Sequence, residues 1–305
     1  MDALLLQHLL NWLVLASIYT LIAIGFSLLF GLLDVIHFSH GDVSIIGPFI
    51  ALGVMQIVFG ATGSTLTLGI MLLALVLAVV MTGLVGIGID RAVISRFRAA
   101  PAMMALVATV ALGTAIREVI RGFYPQGANP KAFPALIEGS IQLGSFRLPM
   151  LSLLIITVTV LIVASMYYLI GRTPVGMRIR AVAEDAATAR LMGIRPQTIF
   201  AFTFFIASAT GALGALLFAS YTGVLRFDFG VQLGLIGFSA AVIGGLGSMM
   251  GAILGALAIA GIETVVQVMV PGGASYRLVF VFLLVITMLS LRPSGLLGKP
   301  VLEKV

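Results

Sequence analysis

Two histidines and two aspartates cluster between long apolar runs, in Asp34-Val35-Ile36-His37-Phe38-Ser39-His40-Gly41-Asp42. These side chains bind protons, metals or polar solutes, and three kinds of chemistry fit them. His37 and His40 are three apart and can share a helix face, but a metal needs at least a third partner, so no metal site is assigned. A break in a helix frees backbone groups that can line a cavity for a solute, as discontinuous helices do in transporters. An ordinary polar turn at the end of an apolar span is the third reading. On the second reading His37, Ser39, His40, Gly41 and Asp42 line a path.

A second interruption is Ala241-Val242-Ile243-Gly244-Gly245-Leu246-Gly247-Ser248-Met249-Met250-Gly251, continuing to Gly255. Gly247, Gly251 and Gly255 recur every fourth residue, which predicts one helix face that admits a neighbouring backbone closely. Gly244 and Gly245 predict a local break as well, and with Gly247 they join the candidate path. A helix, a glycine-containing break and another helix then recur in each half of the chain, a duplication common in transporters.

The third informative stretch, residues 171–197, is polar and carries Arg172, Arg178, Arg180, Arg190 and Arg195. Pro174 can start a helix, Ala, Leu, Met and Glu continue it, and Gly193 with Pro196 ends it. A solvated basic loop accounts for the charge, yet a loop this long with its own helix exceeds what a connector requires.

The elements that must hold these stretches follow from composition. The 305 residues are 61% hydrophobic and only 9% charged, against about 25% charged in soluble domains. Apolar stretches near 11–31, 43–59, 65–89, 101–121, 149–170, 198–222, 229–246, 249–270 and 276–292 each match a bilayer's hydrocarbon core. Long unbroken runs mean helices rather than barrel strands. The expected fold is all-α, a polytopic bundle of about 8–9 transmembrane helices with broken helices, residues 1–305 forming one domain. Met1-Asp2-Ala3 lacks the basic stretch of a signal peptide, so the first segment should remain as a helix. Pro125, Pro130, Pro134 and several glycines predict an irregular cap over 122–148.

The net charge of +6 accompanies no Lys/Arg cluster interleaved with aromatics, so nucleic acid is not an expected partner. Arg91, Arg96 and Arg98, the five arginines of 171–197, and Arg292, Lys299 and Lys304 all fall on one side of the predicted spans. That side should be the cytoplasm, leaving the N-terminus outside and the C-terminus inside. Arg121, Lys131, Arg147, Arg226 and Arg277 are scattered on the other. The chain has no cysteine, hence no thiol nucleophile or cysteine zinc site.

Glu184-Asp185-Ala186-Ala187 followed by Gly193-Ile194 resembles the cytoplasmic coupling motif of ABC importer permeases, Glu-Ala-Ala and then Gly. Further blocks extend the likeness along nearly the whole chain: Ala23-Ile24-Gly25, Gly31, Phe38-Ser39-His40-Gly41-Asp42, Leu191-Met192-Gly193-Ile194, Ala241 to Ser248, and Arg292 to Pro300. Together they resemble the branched-chain amino-acid ABC transporter permease family, the leucine/isoleucine/valine permease of H type. Asp185 departs from the general motif, where an Ala would stand. The resemblance implies a second homologous permease, two cytoplasmic ATPases and an external, periplasmic substrate-binding protein around a bacterial inner-membrane subunit. It implies that Ala183, Glu184, Asp185, Ala186, Ala187, Arg190 and Gly193 couple to the ATPases, with ATP and Mg held there and no cofactor on this chain. Related permeases serve branched-chain and other amino acids, urea, short amides and aromatic acids, selected largely by the binding protein.

The residues agree that ATP is hydrolysed elsewhere. A phosphate-cradling Gly-x-x-x-x-Gly-Lys-Ser/Thr loop is absent, and the lysines are only Lys131, Lys299 and Lys304. No Ser-His-Asp order or intramembrane carboxylate pair suggests hydrolysis. The alternative, a secondary transporter or channel driven by an ion gradient, needs ionisable groups inside the membrane. Glu263 is expected to reach the outer interface, and Asp34 and Asp42 belong to the first break.

Overall fold

The computed structural model describes residues 2–62, 68–98, 100–144 and 146–298; Lys299, Pro300 and Lys304, counted above in the basic side and the last motif, lie outside them. Eight described helices are long and apolar enough to cross a bilayer. They are contributed by α1 (Asp2–Leu33), α2 (His40–Thr62), α3 (Leu68–Ile89), α5 (Ala102–Phe123), α6 (Met150–Arg172), α9 (Pro196–Thr222), α11 (Met249–Met269) and α12 (Gly273–Leu291). A shorter apolar helix, α10 (Phe229–Gly244), supplies the ninth expected segment.

Two helices form the centre. Along α9 almost every residue from Ile199 to Ser220 is buried, and its small residues let neighbours approach. A side chain at Gly214 would press on Ile22 of α1, and one at Gly211 on Ser44 and His40 of α2. α1 packs from the other side and is tied to α11 by Trp12, whose indole N–H donates to the Leu257 carbonyl at 2.9 Å. The outer helices α5, α6 and α12 keep most of their apolar surface uncovered, as helices facing lipid or another subunit do.

α3 runs on through a π-helical turn, Asp90–Ile94, into α4 (Ser95–Phe97). Arg98 caps the C-terminal end of α4. It pairs with Asp90, whose side chain is buried, and its guanidinium lies 3.7 Å from the centre of the Phe200 ring.

The expected irregular cap is turns, bends and irregular backbone over most of its length, with short β-strands added to it. β1 (Lys131–Ala132) pairs antiparallel with β4 (Val224–Leu225), Lys131 opposite Leu225. β2 (Ser140–Leu143) pairs antiparallel with β3 (Phe146–Pro149), Ile141 opposite Leu148. Ser220 Oγ accepts the Leu136 N–H at 2.9 Å, which clamps the cap to the end of α9. The prolines forbid helix, but short antiparallel ladders still satisfy the backbone.

Candidate translocation site and coupling segment

The first interruption is a true break. Helix α1 ends at Leu33, Asp34 takes a left-handed φ of +53°, and α2 begins at His40. His37 precedes α2, so the shared helical face that would have aligned it with His40 does not form. The break does not lie on the surface: His37, Ser39, His40 and Asp42 are all buried. Ser39 Oγ is 3.1 Å from His37 Nε2, and the His37 ring meets Phe204 of α9 edge-on at 5.4 Å. The His40 ring lies edge-on to Phe26 of α1 at 4.8 Å, where a side chain at Gly25 would strike it.

Four helices, α1, α5, α9 and α10, converge on this break, which places α2's first turn inside the bundle. Thr109, Gly113 and Arg117 of α5 are spaced by four and so fall on one face. Thr109 Oγ1 accepts the Phe38 N–H at 3.3 Å, and a Cβ at Gly113 would meet the Asp42 carboxylate. Gly230 and Gly234 of α10 face Gly41 so closely that a side chain at Gly41 would overlap their backbone. Arg117 Nη1 donates to both Asp42 oxygens, at 3.4 and 3.3 Å, and Nη2 donates to Thr114 Oγ1 at 3.1 Å. A cavity of about 200 Å³ opens beside the pair, lined by Phe38, Val110, Val231 and Leu235 among others. Arg117 was not singled out from the sequence, although the Thr109–Gly113–Arg117 spacing within an apolar span was a usable signal.

Gly244, Gly245 and Gly247 lie apart from that site. Gly245 has φ +104° and Gly247 φ +80°, conformations that glycine adopts without strain. Gly247 thus stands outside α11 and faces Gly31 at the end of α1, while Gly251 and Gly255 alone continue the expected face, against Gly244 and Ala240 of α10. Ser248 caps α11 by accepting the Gly251 N–H at 3.1 Å. The described part of the last motif folds back here: Leu296 and Leu297 donate backbone hydrogen bonds to Ile243 and Gly244 at 2.9 and 2.8 Å.

The basic segment holds two helices where one was expected, α7 (Pro174–Glu184) and α8 (Ala186–Leu191). Thr173 caps the first, accepting the Gly176 N–H at 3.2 Å. Asp185 breaks the run in an extended conformation, and its carboxylate accepts the N–H groups of Ala187 and Thr188 at 2.8 and 3.2 Å. The departure from the general motif is therefore the N-cap of α8. Ile179, Val182 and Ala189 bury one face of this elbow against Leu32 of α1 and Ile199 and Phe200 of α9. Ala183, Glu184, Asp185, Ala187, Arg190 and Gly193 are exposed, with Ala186 half-buried. Leu191 and Met192 project fully at 87% and 78% exposure.

Glu263 corrects an expectation. It does not reach an interface but is 1% exposed, bonded to Tyr19 and Arg277.

A multi-pass bundle with a buried polar break and a helical elbow at one end defines a membrane permease. Residues 8–289 match the branched-chain amino acid transport system permease component family, and the chain belongs to it. It is 32% identical over 305 residues to the high-affinity branched-chain amino acid transport system permease protein BraD of Pseudomonas aeruginosa, covering 98% of each chain. It is 30% identical to the corresponding LivH protein of Escherichia coli, covering 98% of this chain and 97% of that one. The autoinducer 2 import system permease LsrC of Yersinia pseudotuberculosis is more distant, 28% identical over 67% of this chain. Family membership decides for an ABC-type permease over an ion-gradient-driven transporter or channel.

Proposed function

We propose that this permease forms, with a second homologous permease, the path by which branched-chain or related small amino acids enter a bacterial cell across the inner membrane. Two cytoplasmic ATPases bind the ATP and Mg, no cofactor sits on this chain, and an external binding protein delivers the substrate. Residues 1–305 act as one permease domain with the N-terminus outside and residues 171–197 and the C-terminus inside. The breaks around His37–Asp42 and Gly244–Gly247 line the path, and Ala183–Gly193 docks on an ATPase. Arginines beside the elbow also meet anionic lipid.

The carrying observation is the elbow. One face is fixed to the ends of α1 and α9, while Leu191, the last residue of α8, and Met192 just after it stand exposed. Fixed helices transmit displacement that a floppy loop would absorb, and exposed apolar side chains at the tip suit a protein cleft. The test is the double variant Leu191→Asp/Met192→Asp in the assembled importer. Loss of ATPase copurification, or ATP turnover without uptake, is expected with membrane insertion intact. Copurification with wild-type uptake would remove the coupling assignment.

A further inference from the structure

Asp42 and Arg117 are placed and bonded unlike Glu263 and Arg277. Glu263 is closed off: Arg277 donates to one oxygen at 2.9 Å and Tyr19 to the other at 2.7 Å. Asp42 is held at 3.3 and 3.4 Å by a single nitrogen of Arg117, longer than a tight charge-assisted bond of roughly 2.7–2.9 Å. A carboxylate accepts about four hydrogen bonds and a guanidinium donates five, so both groups keep capacity beyond this contact. Tight glycine packing fixes the carboxylate, since a Cβ at Gly113 or Gly230 would strike it.

The surroundings say what this capacity suits. Asp42 is 7% and Arg117 23% exposed at the side chain, and the adjoining cavity walls are the apolar Phe38, Val110, Val231 and Leu235. An arginine cannot face lipid cheaply, so the face carrying it turns to water or to protein. Val110 and Val231 remain open on that same face.

We propose that Asp42 and Arg117 form a recognition station for the zwitterionic head group of an aliphatic amino acid, a reading that rests on the permease function above. The substrate carboxylate takes Arg117 donors, the ammonium takes Asp42 oxygens, and the side chain lies against the apolar walls. One ion pair becomes two, so the site stays neutral with and without substrate, as a low-dielectric setting demands. An uncharged amide or urea offers neither half of this exchange.

The test uses the assembled importer in proteoliposomes, with L-leucine uptake, ATP turnover and retention of the ATPases measured together. Asp42→Asn, Arg117→Gln and the two combined are compared with the wild type. The combined variant leaves no unpaired buried charge, so it keeps the fold where a single one strands a charge. A recognition station predicts about a tenfold or greater fall in maximal leucine uptake in all three, with the ATPases retained and the combined variant as poor as the singles. Combined-variant uptake within about twofold of wild type overturns the station and marks the pair as structural. Loss of the ATPases from the combined variant overturns it equally, by assigning the pair to assembly. A wild-type importer that carries no amino acid at all would instead remove the underlying permease reading.

Discussion

Tyr19 of α1 donates a 2.7 Å hydrogen bond to Glu263 of α11, and Arg277 of α12 donates to the other carboxylate oxygen at 2.9 Å. Three helices are thereby joined through one buried charge. Removing one partner of such a pair strands the other in a medium that cannot solvate it. Arg277→Leu should therefore lower stability by about 3–5 kcal/mol, while Tyr19→Phe loses about 1.5–3 kcal/mol. Adding Glu263→Gln to Arg277→Leu neutralises the stranded group and should recover most of the loss. Thermal unfolding in detergent measures this; equal midpoints for the single and double variants would show that the charge is not effectively buried.

The orientation prediction concerns the two ends of the bundle. The chain lacks cysteine, so a single introduced thiol reports alone. Ala128 in the cap and Ala183 in the elbow are both exposed. An impermeant maleimide should label Ala128→Cys in intact cells and Ala183→Cys only after permeabilisation. Labelling of both from outside would refute the assignment of the basic face to the cytoplasm.

Packing around the break predicts a contrast between two glycines of α2. A Cβ at Gly41 would overlap the backbone of Gly230 and Gly234, whereas one at Gly53 meets nothing within 4 Å. Backbone cannot step aside as a flexible side chain can. Gly41→Ala should lose about 1–3 kcal/mol and reduce uptake. Gly53→Ala, in a helix interior, should gain up to about 1 kcal/mol. Melting midpoints that move alike would mean that α10 yields to α2 more freely than its contacts imply.

The bundle was legible because apolar length and composition alone demand spanning helices, and eight of the nine expected segments qualify in the structure. The relation between segments was not legible. Nothing local to Asp42 says that Arg117, on another helix, faces it, and Glu263 looks like an interface residue until α1 and α12 are seen to cover it. The Pro174 and Gly193 boundaries of the elbow read correctly, but its Ala-rich run concealed the break at Asp185. Helix propensity there favours continuation, and a carboxylate capping its own next turn prevails over it.

Asp185 supplies the last prediction, because its role in the elbow separates capping from docking. Its carboxylate accepts from Ala187 and Thr188, fixing the angle between α7, which is anchored on α1 and α9, and α8, which ends at the exposed Leu191 and Met192. Asp185→Ala should cost about 0.5–2 kcal/mol of local helix stability, while Asp185→Asn or Asp185→Ser keeps a capping oxygen. If the elbow works as a rigid link, Asp185→Ala should raise the ATP consumed per amino acid imported and Asp185→Asn should leave that ratio near wild type, since the asparagine removes charge but preserves the cap. If the carboxylate instead acts by its charge against a basic group on the ATPase, Asp185→Asn should impair import as severely as Asp185→Ala. If the segment only rests on anionic lipid, neither variant should change the ratio. Measuring uptake and ATP hydrolysis in the same vesicles for both variants decides among the three, and an unchanged ratio for Asp185→Ala would rule out the rigid link.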